Sequence, residues 1–568
     1  MRSGGLGSIN PGAQLIFSTT LRAPSPSAIP TPIGNDPDVT QTLSAPPPPP
    51  PNPTEAERDI KDLASGALVN FVGKLGRLSR AAFDVVVIWL CGLEVKGHFE
   101  AAWSIASLVQ RLGRFGLQVT VVRFAATARA TGDQAEVERV LASALWLGTF
   151  TSGAMLVATW LAADWIAAYN RQPIAGAVRL MALSTPFMTW AWIFVAATRT
   201  LRIMRYDVYV LSIAGPLILL VFSTAAALAG WGLEGLAWAN LIMAMGSCCL
   251  AAHYFGRYFS LRACLGRMRQ SLPWGPMGRF SLPVMTTDSI YGVVSNVDVL
   301  MLMRLLKGEP GQVAAQIAIY ALAKKIAGAM LKAPQALDPI FSSIASELSA
   351  RDQHRALGYR FAAISGWILT INLPICAAIL LAGDALMQVL GQSQTADLQT
   401  GLAVLGVLCI AMMAQGLFAM VDPVLTMAGR PYLNMFNNGT WLAANAALNL
   451  WLIPGHGMIG AAWAAAVSAL AAGALRLAQL YLIHDILPFG RTQLKPLLAA
   501  LAGGVVGWLC RQAAPAGLAW SLLLPLGTFL AVYAAVLHSL GLSPEDRLML
   551  QRVKAPFKRL LRRPKVNP

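Results

Sequence analysis

Residues 232–245 read GLEGLAWANLIMAM and residues 457–470 read GMIGAAWAAAVSAL, and the two stretches fall into register at an offset of 225 residues. In that register Gly232, Gly235, Ala237, Trp238 and Ala239 coincide with Gly457, Gly460, Ala462, Trp463 and Ala464, and Arg205 coincides with Arg430 ahead of each stretch. Small residues recurring in an apolar segment allow helices to approach closely within lipid. The chain therefore reads as two halves that end in like helix pairs. With an even number of spans in each half the repeat is parallel, and the halves are related by an axis along the membrane normal.

Composition agrees with a membrane setting. Of 568 residues 56% are hydrophobic and only 12% charged, about half the charged share of a soluble domain, and mean hydropathy is +0.56. A water-soluble protein is excluded. The apolar runs are long and continuous rather than alternating, which argues against a β-barrel. A helical span needs about 20 apolar residues, and the chain beyond residue 60 divides into about 14 such spans, leaving no room for a sizeable soluble catalytic domain. The expected fold is an all-α polytopic membrane protein: two six-helix lobes in parallel repeat plus two extra C-terminal helices.

The expected organisation starts with a Pro/Ser/Thr-rich cytoplasmic tail, residues 1–60, which ends its proline run at Pro46 to Pro51 and cannot bury a core. It lacks the basic start and apolar stretch of a signal peptide. An N-lobe over 61–256, a basic cytoplasmic loop over 257–280, a C-lobe over 281–485, two further spans over 486–540 and a basic amphipathic tail over 541–568 complete the chain. Among the expected spans are 64–92, 98–125, 314–344, 401–427, 433–454 and 458–484.

The net charge of +17 would suit a nucleic-acid partner in a soluble protein, but its placement says otherwise. Arg and Lys gather in alternate connections, such as Arg199, Arg202 and Arg205, or Arg257, Arg262, Arg267, Arg269 and Arg279. The intervening turns hold only Lys96, Arg171, Lys307 and Arg511. The positive-inside rule then places both termini and the basic loops in the cytoplasm. The tail from Arg547 to Lys565 interleaves basic and apolar residues and reads as a helix on anionic inner-leaflet lipids. The seven cysteines and six histidines show no metal-ligand spacing. No metal or other cofactor is expected beyond a driving gradient of H⁺ or Na⁺.

Ionisable side chains within spans are costly and mark functional surfaces. On the first span Asn70, Lys74, Arg77, Arg80 and Asp84 share one helical face. Gln110, Arg111, Arg114 and Gln118 do so on the second, Asp288, Tyr291, Ser295 and Asp298 on the seventh, and Lys324, Lys325, Lys332, Gln335 and Asp338 on the eighth. An inter-lobe cavity lined by these faces would be strongly cationic and suited to a phosphate or diphosphate, with Lys74, Arg77, Arg111, Arg114, Lys324 and Lys325 as ligands. The competing reading makes residues 60–80 a cytoplasmic amphipathic helix, yet a span starting at Ala81 would reach Glu94 in 13 residues, short of the roughly 20 required. Lys332 and Asp338 fit an internal ion pair or a solvated mouth as well as substrate contact.

A further stripe, Asn434, Asn437, Asn438, Asn445 and Asn449, either contacts sugar or joins helices. Asp422, followed by Pro423, is either a proton or sodium site or a partner of Arg430. Asp84, Asp298 and Asp422 are the carboxylates available for ion coupling.

Two blocks carry a family resemblance. One comprises Asn296-Val-Asp298, Ile319-Tyr320-Ala-Leu-Ala-Lys324-Lys325-Ile326, Ala333-Pro334 and Pro339-Ile-Phe-Ser342; the other runs from Gly429-Arg430-Pro431-Tyr432 through Asn445, Leu448-Asn449 and Leu452-Ile453-Pro454 to Gly457-Met-Ile-Gly460. Over about residues 60–485 the chain resembles the polysaccharide-export branch of the multidrug/oligosaccharidyl-lipid/polysaccharide superfamily, typified by Wzx-type O-antigen flippases, and more distantly lipid II flippases. Lys96-Gly97-His98-Phe99 stands where that family has Gly-Tyr or Gly-Phe, and the proline tail is not a family feature.

The resemblance implies a non-enzymatic flippase in a bacterial inner membrane. Its cargo would be an undecaprenyl-diphosphate-linked oligosaccharide for O-antigen, exopolysaccharide or capsule, and a polysaccharide polymerase or assembly protein would be its neighbour. The alternatives are a lipid II-type flippase and a cation-coupled multidrug exporter of the same superfamily. An exporter of cationic drugs calls for an acidic or apolar cavity, and a membrane glycosyltransferase for a larger outward loop than any here.

Overall fold

The computed structural model describes residues 53–201, 203, 205–266, 274–350, 353–390, 396–427, 431–484, 493–513 and 518–541; the side chains of residues 53–78 lie outside that description. By contacts the chain divides into residues 1–64 and residues 65–568. Residues 53–64 of the first unit are helical. The remainder of this section concerns the second. The proline tail before residue 53 and the basic tail beyond residue 541 fall outside the described residues.

The regular elements among the described residues are all helices. The helices are α1 (Pro53–Arg114), α2 (Leu117–Ala130), α3 (Gln134–Asn170), α4 (Ala175–Arg199), α5 (Arg205–Leu228) and α6 (Gly232–Gly256) in the first half. After the short α7 (Leu261–Gly266) come α8 (Trp274–Leu305), α9 (Pro310–Ala327), α10 (Lys332–Ala350), α11 (His354–Leu390), α12 (Ala396–Phe418), α13 (Val421–Met427) and α14 (Pro431–His484). Two last helices, α15 (Leu494–Ala513) and α16 (Leu518–Ser539), pair with each other and lie on α11. Among the described residues nine helical segments are long and apolar enough to cross a membrane, and this is a multi-pass membrane protein.

Glycines set where the helices turn. Gly92 sits at φ 84 and folds α1 back on itself, and Gly457 at φ 58 does the same in α14. Only glycine enters that left-handed region without steric cost, so each reversal needs no loop. Residues Tyr432–Ile483 thus form a 52-residue apolar stretch, long enough for two crossings of about 20 residues each.

Three expected spans differ in detail. The span 98–125 is broken at Phe115 and Gly116, both left-handed at φ 50 and 67, where Gly116 packs against the backbone of Ser281. The span 314–344 tightens to a 3₁₀ turn at Gly328–Leu331 between α9 and α10. The span 401–427 stops at Phe418 and resumes as α13, so Asp422 stands in the first turn of a short helix.

Each half has its own core. Leu141, Ile193 and Phe255 belong to one in the first half, and Phe341, Phe361 and Leu425 to one in the second. A third core joins them: Phe83, Phe99 and Met181 share a cluster with Ile317, Tyr320 and Leu408. Burial of such side chains stabilises this seam within the protein interior, since close packing leaves few voids.

Candidate functional site: a charged seam between the halves

The seam is built on the helices α1, α8 and α9. Because Gly92 turns α1 without a loop, the residues after it descend beside those before it. Lys96, expected in a nearly bare turn, is instead buried, its side chain 2% exposed. Its Nζ lies 2.5 Å from Asp84 Oδ1 and 2.7 Å from Glu100 Oε1. The Phe83 and Phe99 rings flank it at 4.3 and 5.2 Å from their centroids.

Lys325 comes from the other half to the same two carboxylates. Its Nζ is 3.0 Å from Asp84 Oδ1 and 2.6 Å from Glu100 Oε1. Two ammoniums and two carboxylates therefore form one closed, electrically neutral cluster. A charge withdrawn from water is tolerated when it is paired and its remaining hydrogen bonds are met.

Lys324, one residue earlier, serves a second network. It donates to Asp298 Oδ2 at 2.6 Å and to the Ser295 carbonyl at 3.0 Å. Asn449 donates to Asp298 Oδ1 at 3.1 Å and to Asn445 Oδ1 at 2.8 Å, and Asn445 donates to Ser468 Oγ at 3.1 Å.

A third contact crosses the seam toward the other ends of the helices. Arg111 Nη1 and Arg114 Nη2 reach the two oxygens of Asp288 at 2.8 and 3.0 Å. Arg114 also lies over the Trp192 ring at 4.7 Å. Beyond this clasp Thr120 and Ser281 share a hydrogen bond of 2.7 Å across the halves. At the Gly92 end, a Cβ on Gly97 would lie 1.6 Å from the Ala314 carbonyl oxygen, and one on Gly311 would lie 2.8 Å from the Glu94 carboxyl carbon. The halves therefore touch at both ends of the seam.

These pairings set carboxylates against the cations of the expected cationic cavity. Among the described residues Lys96, Arg111, Arg114, Lys324 and Lys325 all engage Asp84, Glu100, Asp288 or Asp298, and Arg80 lies over the Trp103 ring at 4.7 Å. The carboxylates meet the cations because free charges at low dielectric are more costly than paired ones. Lys74 and Arg77 lie outside the described side chains.

The remaining candidates sit apart, in the second half. Asp422 is 3.0 Å from Arg476 Nε, which sequence reading did not single out; Arg430, its expected partner, lies outside the described residues. Arg476 Nη2 donates to Asn438 Oδ1 at 2.7 Å. Asn434 donates to the Asp422 carbonyl and to Thr426 Oγ1 at 2.8 and 2.9 Å. Asn434 and Asn445 thus join helices through their amides, whereas Asn438 also lines a cavity of about 440 Å³ together with Tyr291, Gln335, Asp338, Asp422, Trp441 and Arg476. Among the described residues no cluster of His, Cys, Asp or Glu is arranged to hold a metal.

Glu100, Lys96 and the role of Asp288 were missed from sequence, although a signal for the seam exists. At an offset of 214 residues Asp84 matches Asp298, Gly97 matches Gly311 and Arg111 matches Lys325. The first helices of the halves thus repeat at 214 and the last at 225, so one register finds only one end of the repeat.

Two helical halves meet at this charged seam, and solved structures share the fold. The lipid II flippase MurJ in an inward closed conformation matches with a TM-score of 0.66 at 14% identity, covering 83% of this chain and 98% of that one. A multidrug resistance transporter of the MATE family matches in its inward-facing form with a TM-score of 0.59 at 13% identity over 72% of this chain and 98% of its own. A multidrug resistance transporter of the MATE family in an outward-facing form gives 0.54 at 13% over 73% of this chain and 93% of its own. No curated protein matches the sequence. The polysaccharide biosynthesis protein family matches residues 97–397, more than half of the chain, and the chain belongs to that family.

Proposed function

We propose that the protein is an alternating-access flippase that carries an undecaprenyl-diphosphate-linked oligosaccharide from the cytoplasmic to the periplasmic leaflet of the bacterial inner membrane, with both termini cytoplasmic. The observation that carries this reading is the Arg111 and Arg114 clasp on Asp288. Two guanidiniums converge there on one anion at the seam, and a diphosphate offers the same bidentate geometry with more charge. The cargo's diphosphate replaces the Asp288 carboxylate, releases the clasp and lets the halves separate at that end. The Asp84, Glu100, Lys96 and Lys325 cluster keeps the other end shut meanwhile.

The family and the fold support a flippase, the charges of the seam support a diphosphate, and the glycan is what the family resemblance implies. A cation-coupled drug exporter fits less well, because Asp84, Asp298 and Asp422 each have a basic partner. No covalent chemistry is assigned to any residue. The test is charge-neutral substitution of Arg111 and Arg114 to Gln in cells: surface polymer is expected to fall while protein level is kept. Unchanged export would remove the diphosphate from this site.

A further inference from the structure

The cavity in the second half shares no residue with the ion pairs of the seam. It is lined by residues of α8, the 3₁₀ turn with α10, α12, α13 and both arms of α14, and it has a volume of about 440 Å³. That lies within the roughly 300–1,000 Å³ of small-molecule sites. Its wall combines two aromatic faces, Tyr291 and Trp441, with amide, hydroxyl and carboxylate groups from Gln335, Asp338, Asn438 and Asp422. One polar atom there is not committed to the protein. The buried Trp441 Nε1 has no partner among the described residues, while Asp422 Oδ1 faces Arg476 Nε at 3.0 Å. Buried polar groups in native proteins find partners, so Trp441 Nε1 marks where a hydroxyl of a ligand belongs.

The cavity is also placed to meet the clasp. Tyr291 follows Asp288 by three residues on α8, which puts both on one side of that helix about 4.5 Å apart along its axis. A group bonded to a diphosphate held by Arg111 and Arg114 would pass Tyr291 into the cavity.

We propose that this cavity is a saccharide subsite, which takes the sugar next to the diphosphate of the carried lipid and stacks it on Trp441. The proposal rests on the flippase reading above. A sugar ring has apolar C–H faces for an indole and hydroxyls at its rim for Asn438, Gln335 and the acids. The one basic group among the described lining residues, Arg476, is held by Asp422 and Asn438, which leaves the pocket unsuited to an anion.

The test uses the purified full chain in lipid nanodiscs and two probes: the lipid-linked glycan fraction extracted from cells lacking the protein, and synthetic undecaprenyl diphosphate. Wild type is expected to bind the glycan-bearing lipid about tenfold more tightly than the bare one, a margin of the size that one good aromatic contact supplies. Trp441→Ala and Gln335→Ala are expected to lose that margin with bare-lipid binding unchanged, which also shows that they fold, and Trp441→Phe to keep it. Retention of the margin in Trp441→Ala and Gln335→Ala, or its absence in wild type, would overturn the subsite while leaving the flippase intact. Failure of wild type to bind either lipid would overturn the flippase reading and the subsite with it.

Discussion

Lys325 of the second half lies 3.0 Å from Asp84 of the first, and Asp84 lies 2.5 Å from Lys96 on its own helix hairpin. One carboxylate thus fastens the turn at Gly92 and ties that turn to the opposite half. The side chains of Lys96, Asp84 and Glu100 are 2%, 6% and 7% exposed, whereas Lys325 is 35% exposed. The buried part is structural, and the exposed arm is the one free to let go.

Lys96→Met leaves two buried carboxylates with one remaining cation. Breaking a buried pair from one side costs about 3–5 kcal/mol, so the variant is expected to unfold at clearly lower temperature in detergent. Lys325→Met, at a more solvated position, should lower the melting temperature less and instead weaken closure of the seam. Equal effects on melting would contradict this division.

The Gly92 end of the seam is closed by backbone contact. Glu94→Cys with Gly311→Cys, in a background without the native cysteines, replaces two groups that touch across the halves. Oxidation is expected to cross-link them and stop export, and reduction to restore it. Cross-linking that leaves export running would show that this end need not open.

Asp298 accepts from both Lys324 and Asn449. If an ion gradient drives transport through this group, Asp298→Asn should export slowly and no longer respond to a protonophore or to sodium removal. A variant that keeps the wild-type response would place coupling at Asp84 or Asp422.

Two helix boundaries were legible because glycine and apolar length act locally, whereas the breaks at Phe115, Gly328 and Phe418 were not. Gly92 ends the first span at the residue expected, and Gly457 splits the repeat pair. The charged faces were legible too, since helical periodicity puts Arg111 with Arg114 on one side. Their partners were not. Which carboxylate meets which cation depends on helix rotation and on side-chain reach across the seam, and neither is encoded in spacing. Lys96 shows this best: beside a span end it reads as a loop charge, and only the tight turn at Gly92 carries it inside. Arg476 was passed over for the opposite reason, as a single charge in a long apolar helix whose partner Asp422 is 54 residues away.

Removing one half of the clasp separates gating from cargo binding. Asp288→Asn keeps both guanidiniums and removes their internal anion, so it should bind undecaprenyl diphosphate more tightly than wild type. Arg111→Gln with Arg114→Gln should bind it at least tenfold more weakly, because a bidentate charged contact contributes more than about 1.4 kcal/mol. Titration in nanodiscs checks both, and weaker binding by Asp288→Asn would mean that the carboxylate serves the cargo rather than competing with it.

The most direct measurement is the pool of lipid-linked oligosaccharides in cells lacking the protein, divided by leaflet accessibility. Completed units trapped on the cytoplasmic side, together with loss of surface polymer, are the result expected of a flippase, and their sugars would identify the cargo. A normal pool with normal polymer would contradict it and leave the Arg111 and Arg114 clasp to some other anion.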